Sequence, residues 1–167
     1  MKTKRIAWTG LLIALAMILS YIESLLPAFV AVPGMKLGLT NLVVLVAFLV
    51  LDYKYAFAIN MVRILLVAFT FGNLFALMYS AAGGFLSFLV MALLFRTKKF
   101  SPVGVSVAGG VAHNIGQILV AMAVLETGQL IYYLPVLAVS GTVAGAVLGF
   151  VSGMVVKHLP KAILLNK

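Results

Sequence analysis

Cysteine is absent from the 167 residues, which excludes a disulfide framework, a thiolate metal site and a cysteine nucleophile. Acids are nearly absent: the chain has three, Glu23, Asp52 and Glu126, in three separate places. No two carboxylates are paired for acid–base work or clustered to hold a metal-bound phosphate, and no glycine-rich phosphate loop of the Walker type occurs. The polypeptide is therefore expected to be no enzyme by itself and to need no cofactor. Any active transport would draw ATP hydrolysis from other subunits. The two histidines, His113 and His158, are far apart in sequence, so no metal site is expected.

What remains is oil. Hydrophobic residues make up 65% of the chain, charged residues 9%, and the mean hydropathy of +1.24 is far above what a soluble domain of this size needs. A helix needs roughly 20 apolar residues to cross a bilayer core. Runs of that kind recur, so the chain reads as an all-α integral membrane protein, a single transmembrane domain over residues 1–167. The first run, Ile6 to Leu26, stops at Pro27. Between Ile64 and Phe95 lie 32 residues without a charge, too many for one helix, and Thr70-Phe71-Gly72-Asn73 is where they divide. Six spans result, near 6–26, 37–51, 53–70, 74–95, 102–125 and 132–156.

Basic residues orient the bundle, because cytoplasmic loops are enriched in Lys and Arg. With the amino terminus inside, ten of the twelve fall on that side, Lys36 falls outside and Arg63 lies within a span. Both termini are expected in the cytoplasm, with the plasma membrane as the location. The net charge of +9 then reflects topology and contact with anionic lipid headgroups, and nucleic acid is not an expected partner. Lys-Thr-Lys-Arg before an apolar run also describes a secretory signal. No small-residue cleavage site follows cleanly, and an uncleaved first helix is the expectation.

Small residues mark where helices pack. Gly141, Gly145, Gly149 and Gly153 share one face of the sixth span, Gly104, Ala108, Ala112 and Gly116 one face of the fifth, and Ala81 to Gly84 lie in the fourth. Intramolecular packing is the simplest role for these stripes. Polar groups inside spans need a reason. Arg63 has Asn60 one turn before it, and His113, Asn114 and Gln117 sit together in the fifth span. Glu23 closes the first span, and Lys36 and Asn41 belong to "PGMKLGLTN", a glycine-containing outer loop suited to binding. Arg63 either pairs with Glu23, snorkels, or meets a ligand. His113 fits an interhelical hydrogen bond better than a metal, and Asn114 and Gln117 fit helix pairing or ligand binding equally. All eight could line one outward cavity for an acidic or phosphorylated ligand, with Lys36, Asn41, Arg63, His113, Asn114 and Gln117 as its six expected ligand-binding residues. Trp8, Tyr21, Tyr79, Tyr132 and Tyr133 fit interface anchors better than ring-stacking positions.

"PGMKLGLTN", "SAAGGFLSFLVM", "GVSVAGGVAHNIGQ" and "YYLPVLAVSGTVAGAVLG" resemble the Gx transporter family, also called heptaprenyl diphosphate synthase component I. That family is similar to the S components of energy-coupling factor (ECF) transporters, six-helix bundles that capture a vitamin or precursor from outside. The resemblance implies an outer loop that helps to close over substrate, which places Lys36 and Asn41 at a ligand. It also implies a coupling subunit and two ATPases as partners, docked on a small-x-x-x-small motif of the first helix. Gly10 and Ala14 match that motif, with glycine where alanine is usual. The alternative name implies a soluble prenyl diphosphate synthase as partner. Lacking clustered aspartates, this chain would serve it as a non-catalytic membrane component or scaffold, linked to quinone biosynthesis or electron transfer.

Overall fold

The computed structural model describes residues 2–25, 36 and 38–160. Among them run α1 (Lys2–Leu25), α2 (Asn41–Val50), α3 (Tyr53–Thr70), α4 (Leu74–Thr97), α5 (Pro102–Val124) and α6 (Leu134–His158), with a 3₁₀ segment, Gly128–Tyr133, leading into α6. Local chemistry sets the boundaries. The Asp52 carboxylate accepts from the amides of Lys54 and Tyr55 and starts α3, and Asn73 accepts from the Ala76 amide and starts α4. Ser101 accepts from the Gly104 amide with Pro102 in the first turn of α5, and Lys98 in the left-handed region ends α4.

Five of the helices are long and apolar enough to cross a bilayer, so the chain is a multi-pass membrane protein. The second predicted span, 37–51, is the exception: α2 has ten residues, about 15 Å of helix. Gly38, at φ +85°, and the turn at Leu39 and Thr40 keep the start of that segment out of helix. Its ends are nevertheless tied to opposite ends of α1. The amides of Gly38 and Leu39 donate to Glu23, while Arg5 pairs with Asp52 at 3.4 Å. Residues 5 and 23 of α1 are about 27 Å apart along the helix. The segment 38–52 runs between them as a turn, a short helix and an extended Asp52. Smaller differences are that α1 begins at Lys2 rather than residue 6, and that residues 132 and 133 are 3₁₀ rather than α.

Helix α2 is the centre of the bundle. Val43 to Phe48 and Val50 are all buried, and Phe48 stacks on Phe88 of α4 with centroids 5.3 Å apart. Around it, α5 packs closely on α4 and α6, as the small residues predict. A Cβ on Gly145 or Gly149 would strike the α5 backbone at Val107 or Val103, and one on Gly116 would strike α4 at Ala82. The face of α5 differs in part from the expected stripe. Gly109 and Gly110 make the close approaches to α4 and α6, Gly104 meets only ordinary contacts, and Gly153 faces open space. Outward lie Val136, Val139, Val143, Val147 and Phe150 of α6, spaced to form the stripe opposite its glycines. Gly10 and Ala14 of α1 are also exposed, and a Cβ on Gly10 would meet no other described residue.

The glycine contacts give a paired prediction. Gly145→Val should destabilise the purified protein by about 1–3 kcal/mol through overpacking, whereas Gly153→Val should leave the thermal midpoint unchanged. Equal midpoints for the two variants would contradict the α5–α6 contact.

Candidate functional site

At the end of the bundle away from Arg5 and Asp52, polar side chains from different helices turn inward. Arg63 of α3 is 2% exposed, so it does not snorkel. Its Nη2 donates to Asn60 Oδ1 at 3.0 Å, and Asn60 Nδ2 donates to the Gly84 carbonyl of α4 at 3.0 Å. The spacing of three places both on one face of α3, and Gly84 lets α4 come close enough to complete the chain of bonds. Among the described residues, no carboxylate contacts Arg63 and its Nε has no hydrogen-bond partner. The expected pairing with Glu23 is therefore not a contact pair. Glu23 lies within electrostatic range of Arg63 and Lys36, but its Oε1 is taken by the Gly38 and Leu39 amides.

Lys36, Gly38 and Leu39 form a strap tied at two points. Glu23 holds one, and Gln117 of α5 holds the other. Gln117 Oε1 accepts from the Lys36 amide at 3.0 Å, and Nε2 donates to the Lys36 carbonyl at 3.2 Å. That pair imitates one rung of a β-ladder. The Gln117 Nε2 also lies 2.6 Å from His113 Nε2, as the spacing of four requires. With both amide hydrogens of Gln117 directed to acceptors, His113 Nε2 is the acceptor, and the ring proton of the neutral imidazole belongs on Nδ1. Burial pushes the Lys36 ammonium below the usual lysine range, with Glu23 opposing the shift and Arg63 adding to it.

The six expected site residues thus separate. Lys36, His113 and Gln117 are joined by the bonds just described, and Gly38 brings Asn41 to them, because Asn41 Nδ2 and the His113 ring both face its Cα. Asn41 Nδ2 has no hydrogen-bond partner among the described residues. Arg63 shares electrostatic range with Lys36 and His113. Asn114 points elsewhere: one residue from His113 is about 100° around the helix, and its Nδ2 donates to the Leu137 carbonyl and Ser140 Oγ of α6 at 2.7 and 3.3 Å. It binds helix to helix. Glu23, Asn60 and Thr40 complete the buried polar group, with Thr40 Oγ1 unpartnered among the described residues. Of the outer loop "PGMKLGLTN", residues 33–35 and 37 lie outside the described residues. No group of three His, Asp or Glu able to hold a metal occurs among the described residues.

The sequence matches the family model of heptaprenyl diphosphate synthase component I over residues 12–155. The chain belongs to that family. Its matched region takes in α2 to α5, most of α1 and α6, and every polar residue of the site. No curated protein and no solved structure matches.

The strap's dependence on Gln117 is testable. Gln117→Leu removes both bonds to Lys36, and each is worth about 0.5–1.5 kcal/mol net. Hydrogen exchange of the peptide spanning Lys36 to Leu39 should quicken about tenfold or more. Exchange at the wild-type rate would show that Gln117 does not hold the strap.

Proposed function

We propose that the chain is the substrate-binding membrane subunit of an uptake transporter of the ECF type. It captures a small vitamin- or precursor-like ligand from outside and relies on a coupling subunit and ATPases carried by other polypeptides. The observation that carries this reading is the buried polar group gathered from α1, α2, α3 and α5 beneath a strap whose ties are hydrogen bonds to side chains. Structural polar groups inside a membrane bundle are ordinarily satisfied by one another. Here Arg63 Nε and Asn41 Nδ2 are buried and unpartnered among the described residues, a pattern that fits a site completed by a ligand.

The 36–41 and 113–117 motifs resemble the Gx transporter family, and the similarity of that family to S components supports the same role. The bias of basic residues supports a plasma-membrane location with the strap outside and both termini in the cytoplasm. The exposed Gly10 and Ala14 face of α1 is then where the coupling subunit docks.

A second reading follows from the family name: a non-catalytic membrane component attached to a heptaprenyl diphosphate synthase. The two differ in what the protein carries. Native mass spectrometry after gentle extraction from its own membranes should show a retained small molecule together with coupling and ATPase subunits. A soluble prenyl diphosphate synthase bound in place of both would establish the second reading and remove the first.

A further inference from the structure

We infer that the ligand presents a singly charged oxyanion, of the carboxylate type, to Arg63 and Asn41. The inference rests on the reading of this group as a ligand site and adds the ligand's chemistry. Arg63 Nε and Asn41 Nδ2 carry hydrogens and no available lone pair, so each can only donate. Both side chains are 2% exposed, and neither atom has a partner among the described residues. A group that satisfies both must accept without donating, as an ionised oxyanion does.

Charge sets the valence. Three formally charged side chains meet here, Glu23, Lys36 and Arg63, and they leave one positive charge in excess. Glu23 is engaged by the strap amides. It balances Lys36 in number, which leaves the buried guanidinium as the charge without a counter-ion in contact. One negative charge restores neutrality, while a diphosphate would overshoot it inside a low-dielectric bundle. Asn60 is a positioning residue: bonded to the Gly84 carbonyl, it holds the guanidinium through Nη2 and leaves Nε without a partner among the described residues.

Two sources offer such a group, a free monocarboxylate and an amphiphile with an anionic head. The probes are acetate and a series of longer monocarboxylates, inorganic pyrophosphate, and farnesyl diphosphate. Each is titrated into the intact protein in zwitterionic nanodiscs at constant ionic strength against chloride, reading the thermal midpoint. The expected result is saturable stabilisation by monocarboxylates, with apparent affinity falling about tenfold or more in Arg63→Gln and in Asn41→Leu. Preference for acetate and its short homologues identifies a free acid, and preference for the longest members an amphiphile.

A readout without any probe accompanies this. A guanidinium kept for a ligand burdens the empty protein, so Arg63→Gln without anion should melt at or above the wild-type temperature. Tighter Arg63-dependent binding of pyrophosphate or farnesyl diphosphate than of any monocarboxylate overturns the single charge. Absence of stabilisation by every anion, with Arg63→Gln melting well below wild type, makes Arg63 structural and overturns the inference. In that case a small molecule still retained in native mass spectrometry leaves the uptake reading standing, and its absence removes both.

Discussion

A guanidinium buried in a membrane bundle must be paid for by its surroundings, and the polar end of this protein is organised by that demand at Arg63. The desolvation of a charge in a low-dielectric interior is repaid only by close hydrogen bonds and opposite charge. The chain supplies one bond from Asn60, which is itself anchored on the α4 backbone. It places Glu23 near but gives its carboxylate to the strap. Arg63 is thereby held in position and left incompletely satisfied by the described residues. The tight glycine contacts of α4, α5 and α6 serve the same end, because they fix the backbones on which Gly84, His113 and Gln117 stand.

Much of this was legible in the sequence, for identifiable reasons. Apolar runs and the break at Thr70 to Asn73 gave helix positions close to those observed, since a cap such as Asn73 acts within a few residues of the chain. Helical spacing put Asn60 on one face with Arg63 and His113 on one face with Gln117, but not the bonds within each pair: Glu23 was the partner considered for Arg63, and a residue of another helix for His113. Composition was blind to long-range ties. The Glu23 bond to Gly38 and the Gln117 bond to Lys36 join residues 15 and 81 positions apart, and no local pattern announces them. The same blindness made α2 look like a full span. Its apolar run is long, but Gly38 and the turn after it belong to the strap. Asn114 was grouped with its neighbour His113, although adjacent residues on a helix face different partners.

Placing the shortest helix at the centre also has a physical logic. Buried on nearly every side, α2 needs no lipid-facing stripe and reads as continuous Val, Leu, Ala and Phe, whereas α6 divides its faces between glycine and β-branched or aromatic residues. The polar strap and the apolar core are consecutive in the chain, so whatever moves Gly38 and Leu39 pulls directly on the middle of the bundle.

The attachment of α1 bears on how the protein is made. Helix α1 precedes α2 in the chain and so is made before it, yet much of its surface is exposed, and besides the packing of Leu12 and Ala16 it is fastened by Arg5 to Asp52 at one end and by Glu23 to the strap at the other. Neither fastening can close until residues 38–52 have been synthesised and inserted. The glycine-lined trio of α4, α5 and α6 contains no part of α1, so its assembly proceeds without it. Helix α1 is accordingly made before its fastenings exist and is locked late, and it can wait in lipid because the run from Ile6 to Ile22, between Arg5 and Glu23, carries no charge.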